Sequence, residues 1–171
     1  LPAETAGQVA ALGSAVLAAM RMRTGLVHME FRIPADGPVV IEIAVRTPGD
    51  YLMDLLGATY DIDWYEMVVR MAVGLPLPEP PAGRVRHAAS LFITSEPGVV
   101  REIDGLEAVQ GHPCVLRAGA NVRPGDTVPA LRASGHRTGW AVLAAETPGE
   151  LEEALKFVQQ TLVIRTDPPP P

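Results

Sequence analysis

An alternating apolar and polar stretch, Leu26 to Ile33, and a second strand-like run, Val39 to Arg46, flank the turn signal Ala35-Asp36-Gly37-Pro38. Strict alternation over eight residues is the period of a half-buried strand, and a Gly/Pro-rich break of this length joins two such strands as a β-hairpin. The hairpin constrains the chain more than any other segment, because a period of two assigns every side chain to a face. His28, Glu30 and Arg32 take one face of the first strand, leaving Val27, Met29, Phe31 and Ile33 for the other. On the second strand, Glu42, Ala44 and Arg46 share a face and Val39, Ile41, Ile43 and Val45 the opposite one. A turn centred on Asp36 sets Glu30 directly across from Glu42.

Cross-strand neighbours have Cβ atoms about 5 Å apart, so two carboxylates there repel unless something positive lies between them. A divalent cation removes the penalty. Mg²⁺ or Mn²⁺ suits two carboxylates, since such hard ions take oxygen ligands and complete their shell with water and phosphate oxygens. His28, His87, His112 and His136 are not paired at ligand spacing, so no softer metal competes. The plainer alternative is an ordinary half-exposed hairpin whose glutamates are solvated and balanced by Arg32 and Arg46. A β-bulge near the turn would also move the pairing by one residue.

A helix is expected from Glu4 to Arg23, closed by Gly25, and two more around Tyr51 to Gly57 and Asp63 to Val73, the latter capped by Asp63 with Glu66 three residues on. Leu75-Pro76-Leu77-Pro78-Glu79-Pro80-Pro81 is a stiff connector that neither a helix nor a central strand accommodates. Beyond it, strand-like runs at Ala88 to Thr94, Gly98 to Ile103, Cys114 to Ala118 and Gly139 to Ala144 imply a sheet, with a turn at Arg123-Pro124-Gly125-Asp126. Thr147-Pro148-Gly149-Glu150 opens a last helix running to Thr161. The expected organisation is α+β: residues 1–75, a connector at 76–83, a small β-rich subdomain at 84–166 and a disordered tail at 167–171.

With 171 residues, 47% of them hydrophobic, the chain can bury a core, and a net charge of −6 leaves no basic surface for nucleic acid. The run Val9 to Met20 is too short for a membrane span and lacks the basic flank of a signal peptide, so a cytoplasmic setting is expected. Cys114 stands alone in an apolar run and reads as a buried thiol, not a nucleophile. Trp64 and Tyr65 read as core. Arg84, Arg86, Arg117 and Arg137 read as surface-pair formers.

The strings Gly25-Leu-Val-His28-Met-Glu30-Phe and Val39-Val-Ile-Glu42-Ile-Ala-Val-Arg46-Thr-Pro-Gly49 resemble the metal-binding segment of ATP-grasp enzymes. The resemblance covers nearly the whole chain and implies the C-terminal ATP-grasp subdomain followed by the small one. It implies that Glu30 and Glu42 hold Mg²⁺ or Mn²⁺ with ATP as cosubstrate. It implies that Arg46 clamps the migrating phosphoryl group or an oxyanion, and that His28, Gly49 and Asp50 stand near substrate. Asp50 has an alternative task, capping the helix at Tyr51. Where most of the family carries Asn as a further ligand this chain has Ala44, which resembles the L-amino-acid ligase branch of carboxylate-amine ligases.

The implied reaction phosphorylates a carboxylate, and an amine then attacks the acyl phosphate. The chain opens on Leu1 and reads as a piece whose ATP-binding N-terminal half is missing, because Lys156 is the only lysine and no glycine-rich phosphate loop occurs. That half is thus an implied partner, beside small carboxylate and amine substrates, and the piece is expected to be inactive alone. An ATP-grasp carboxylase or carbamoyl-phosphate-type enzyme, or a non-catalytic subunit-contact module, are the alternatives. Apolar surface left bare by a missing half would favour a homo-oligomer.

Overall fold

A computed structural model describes residues 1–79 and 86–168; Arg84, the end of the proline connector and the last three prolines lie outside them. The elements follow in the order α1 (Ala3–Ala19), β1 (His28–Arg32), β2 (Val39–Ala44), α2 (Leu52–Tyr60), α3 (Trp64–Ala72), β3 (His87–Ile93), β4 (Gly98–Asp104), α4 (Leu106–Gln110), β5 (Val115–Ala120), β6 (Thr127–Val128), a 3-10 turn (Ser134–His136), β7 (Gly139–Ala145), α5 (Pro148–Thr161) and β8 (Val163–Asp167). They form two compact units, Leu1–Gly49 with Asp63–Glu79, and Asp50–Ile62 with residues from Pro80 on. The architecture is α+β with antiparallel sheets throughout.

In the first unit, α1 ends four residues sooner than its composition suggests, because Arg21 turns to φ +55° and the Met22 amide reaches back to the Leu17 carbonyl. α3 starts where expected, its Asp63 carboxylate accepting the Glu66 amide at 2.9 Å. Trp64 is half-buried, but Tyr65 is 56% exposed and is therefore not a core residue.

The second unit holds two three-stranded sheets, β3-β7-β5 and β6-β4-β8. Its main core gathers Val109 of α4, Ala118 of β5, Ala141 and Leu143 of β7, and Ala154, Val158 and Leu162 of the α5 segment, all at most 9% exposed. β7 is buried on both faces from Ala141 to Ala145, which matches its central place and its unbroken apolar sequence. At α5 the Thr147 hydroxyl accepts the Glu150 amide at 3.2 Å and the Glu150 carboxylate accepts the Thr147 amide at 3.1 Å, a complete capping box. The Arg123–Asp126 turn forms as expected, with Gly125 at φ +93°. β8 carries the chain through Asp167, one residue into the segment expected to be a tail. Cys114 is half-buried beside the core. Among the described residues no helix is long and apolar enough to cross a membrane.

Candidate functional site

β1 and β2 pair antiparallel with His28 opposite Ala44, Met29 opposite Ile43 and Glu30 opposite Glu42. The two glutamates are thus direct cross-strand partners, and both are exposed. Immediately past them the register shifts, so that Phe31 faces Val40 and Arg32 faces Val39, leaving Ile41 as the extra residue of a β-bulge. This corrects the face assignment. Val40 shares the Phe31 face, while Val39, Ile41 and Val45 are 52%, 59% and 60% exposed and do not form a core face. The bulge lies between the pair and the turn, and the register that follows it sets Glu30 opposite Glu42.

What surrounds the pair is as informative as the pair itself. His28 Nε2 lies 3.2 Å from Glu30 Oε1, on the same strand face two residues away. The Arg46 guanidinium donates to the Thr47 carbonyl at 2.9 Å. Among the described residues neither Arg32 nor Arg46 forms an ion pair with Glu30 or Glu42, so the balancing arginines of the plainer alternative are not in place. Nor is there, among the described residues, any group of three or more His, Cys, Asp or Glu that could hold a metal. Two carboxylates are therefore what the protein offers: too few to cage a structural ion, but a fit for Mg²⁺ that draws its remaining ligands from water and substrate phosphates.

Asp50 sits in the second unit and does not cap α2. The residue at the cap is Tyr51, in the left-handed conformation at φ +61° with no side-chain cap bond, and Asp50 itself has φ +55°. Two consecutive non-glycine residues in this region cost roughly 1–2 kcal/mol each. Their side chains account for the conformation. The Asp50 carboxylate accepts from Arg137 Nη1 at 2.6 Å. The Tyr51 ring stacks on Trp140 at 4.4 Å between centroids and on Phe92 at 6.3 Å, and Phe92 and Trp140 are themselves cross-strand partners on β3 and β7. Burial among them raises the Tyr51 hydroxyl above the usual phenol pKa. Arg137 lies over Phe92 at 3.9 Å, and Arg117 over Trp140 at 5.6 Å while pairing with Asp54 at 2.9 Å. Gly49 is exposed with open space about its Cα. Arg86 pairs with Glu146 at 3.0 Å. Sequence reasoning placed Asp50 near substrate but left Arg137 as a surface residue; no local signal joins positions 87 residues apart.

Residues 91–167 match the family model of L-amino acid ligase C-terminal domain 2. A curated relative, carnosine synthase 1 of Gallus gallus, is 33% identical over 113 residues, covering 65% of this chain and 12% of that protein. Among solved structures, the L-amino acid ligase of Bacillus licheniformis superposes with a TM-score of 0.83 at 24% identity, covering 98% of this chain and 42% of that one. Phosphoribosylglycinamide synthetase of Anaerococcus prevotii gives 0.86 at 14% identity, covering 98% and 43%. The chain therefore spans about an eighth of the carnosine synthase and about two-fifths of the solved enzymes.

Proposed function

We propose that this chain, whose residues 91–167 match the L-amino acid ligase C-terminal domain and whose fold is that of solved ATP-grasp ligases, is the carboxylate-bearing part of an ATP-dependent carboxylate-amine ligase working in the cytoplasm. The observation that carries the reading is the direct cross-strand pairing of Glu30 with Glu42 without an arginine between them. Such a pair is unfavourable in isolation and becomes favourable around a divalent ion. Glu30 and Glu42 would hold Mg²⁺ or Mn²⁺, which supplies charge neutralisation on the ATP phosphates when bound. His28, in contact with Glu30 Oε1, orients that carboxylate.

Arg46 has the role of an anion clamp. Its fork of donors, of which one goes to Thr47, matches a phosphoryl group or the tetrahedral oxyanion formed when an amine attacks an acyl phosphate. Replacing Arg46 by lysine keeps the charge and removes the planar fork. The expected result is a fall in kcat of about a hundredfold with metal binding unchanged, read by ADP release and Mn²⁺ titration together.

Lys156 is the only lysine and pairs with Glu152 at 2.7 Å, so residues 1–171 alone are expected not to turn over ATP. The decisive experiment combines the chain with the ATP-binding half that the family resemblance implies. Mg²⁺-dependent ADP release on adding paired amino acids supports the ligase; ADP release with bicarbonate but not with an amine would replace it by the carboxylase alternative; no metal-dependent release under any condition would sink both.

The first unit also exposes Val39, Ile41, Val45, Tyr65, Val69 and Val73. Apolar surface of this extent on one small unit favours association, and the chain is expected to sediment above its monomer mass of 18.2 kDa at high concentration. Addition of the N-terminal half should reverse this. A monomer throughout would remove the prediction.

A further inference from the structure

The 17 residues of α1 include no buried side chain, although the face it turns to β1 is apolar. What separates the helix from the strand is a cavity of about 470 Å³, inside the range of about 300–1,000 Å³ typical of small-molecule sites. Val9 and Leu17 line it from the helix, Met29 and Phe31 from β1, and Met22 from the segment between them. Gly13 stands in the helix wall. A Cβ there would lie 3.7 Å from Phe31 and 3.8 Å from Met29, ordinary contact distances, so the protein's own packing does not call for a glycine at an interior helix position that glycine weakens. Its missing side chain leaves the space open. Met29 and Phe31 alternate with Glu30 along the strand, which puts the cavity on the face of β1 opposite the carboxylate pair.

The polar side chains of the lining are Ser14, Arg23 and Thr24, all exposed, and they mark where the cavity opens. Among the described residues Arg23 makes no ion pair, and no acidic side chain lines the cavity. A chain of net charge −6 thus presents at this opening an uncommitted guanidinium together with the Ser14 and Thr24 hydroxyls. Such a fork holds a carboxylate by paired donors. The apolar walls give nothing to a fully polar anion, which would gain only an exposed ion pair of little worth in water. A cation is repelled. Both features are met by a molecule with an apolar body and one anionic head.

We propose that the cavity between α1 and β1 binds a small amphipathic anion, a medium-length aliphatic monocarboxylate, with its hydrocarbon body against Leu17, Met29 and Phe31 and its carboxylate on Arg23. Glu30 points to the other side of the strand, so the ligand is not presented to the carboxylate pair and the inference does not depend on the ligase reading.

The chain has six methionines, whose methyl signals in a ¹H–¹³C spectrum supply reporters and internal controls together. Met22 and Met29 line the cavity, while Met53 of the second unit and Met67 of α3 are buried outside it, at 3% and 8% exposure. Titration of the full chain with octanoate is expected to shift Met22 and Met29 with a Kd of about 1 mM and to leave Met53 and Met67 in place. Each methylene added between hexanoate and octanoate should tighten binding about two- to fourfold, which an ion pair at the surface would not do. Octylammonium, with the same body and the opposite charge, should bind at least about tenfold more weakly. Arg23→Gln should bring octanoate to within about twofold of octan-1-ol, with Met53 and Met67 at their folded positions. Gly13→Leu should fill the cavity and remove the response while helix content holds or rises. The ligand series needs no variant, so it decides the matter even where a substitution unfolds the unit. No shift of Met22 or Met29 up to about 10 mM octanoate, equal shifts of every methionine, no gain with chain length, or octylammonium binding as well as octanoate would each overturn the proposal.

Discussion

Replacing Glu42 by alanine is expected to lower Mg²⁺-dependent ADP release by at least about a hundredfold in the completed enzyme, a larger loss than any other single side chain of the first unit should produce. The effect of the pair on stability changes sign when metal binds. Without metal, Glu30 and Glu42 face each other across β1 and β2, and two unit charges about 5 Å apart repel by about 1 kcal/mol in water and about 3 kcal/mol at an effective dielectric constant of 20. Removing one of them should therefore leave the metal-free chain as stable as before, or slightly more so. With metal the order reverses. An ion that binds only the folded state stabilises it by RT ln(1 + [L]/Kd), about 1.4 kcal/mol at ten times Kd, and the alanine variant should lose that gain.

Thermal melts with and without Mg²⁺ thus separate a metal-binding pair from a solvated one. If the wild-type chain shows no Mg²⁺-dependent shift, and Glu42→Ala neither raises its stability nor reduces activity, the two carboxylates are surface charges and the ligase reading fails. Glu42→Gln sharpens the test, because it retains the side-chain volume and a hydrogen-bonding oxygen while removing only the charge. A hundredfold loss in that variant would assign the effect to charge and not to packing, since residue 42 is exposed and packing has little to lose.

The carboxylate pair was legible because the count centred on Asp36 matches the register that holds from Glu42 onward, whereas the bulge at Ile41 lies between the pair and the turn and sets Arg32 against Val39 and Phe31 against Val40. Side chains nearer the turn were not safe: a bulge leaves no residue signature when its extra position is an isoleucine, and the assignment of Val39 and Ile41 failed for that reason. Helix starts with a chemical mark, Asp63 and Thr147, were read to the residue. Two elements with neither a mark nor a clear boundary were missed. β8 follows α5 after the single residue Leu162, with no glycine or proline between them, and α4 spans five residues, too few for a helical period to show. The Tyr51–Trp140 stack and the Asp50–Arg137 pair were beyond reach for a different cause. They are made by tertiary contact, and they hold a left-handed turn in residues with no intrinsic preference for it. They also tie α2 to the second unit, a partnership that chain order alone does not suggest.

The largest stability effect is expected at Gly105, the residue before α4. Its φ of +74° lies in the left-handed region, and a Cβ built there would fall 2.0 Å from the Thr161 carbonyl oxygen and 2.8 Å from its carbon, both backbone atoms. No rotamer change relieves such a contact. Gly105→Ala must either move the end of α5 or reorient the start of α4, and both helices supply buried residues, Val109 and Val158, to one core. Adding about 1–2 kcal/mol for the left-handed conformation to about 1–3 kcal/mol for overpacking predicts a loss of about 2–5 kcal/mol, a fall in Tm of roughly 10 °C or more for a unit of this size. Gly149→Ala is the matched control. Gly149 lies in the first turn of α5 with nothing within 4 Å of the place an added methyl would occupy, so alanine there should be neutral or stabilising by about 0.5 kcal/mol through the unfolded chain. Denaturant midpoints of the two variants should move in opposite directions or differ by the full clash term. Equal midpoints would mean that the start of α4 is not held against the end of α5 as closely as the clash of an added methyl requires, and the packing of the main core of the second unit would need to be redrawn.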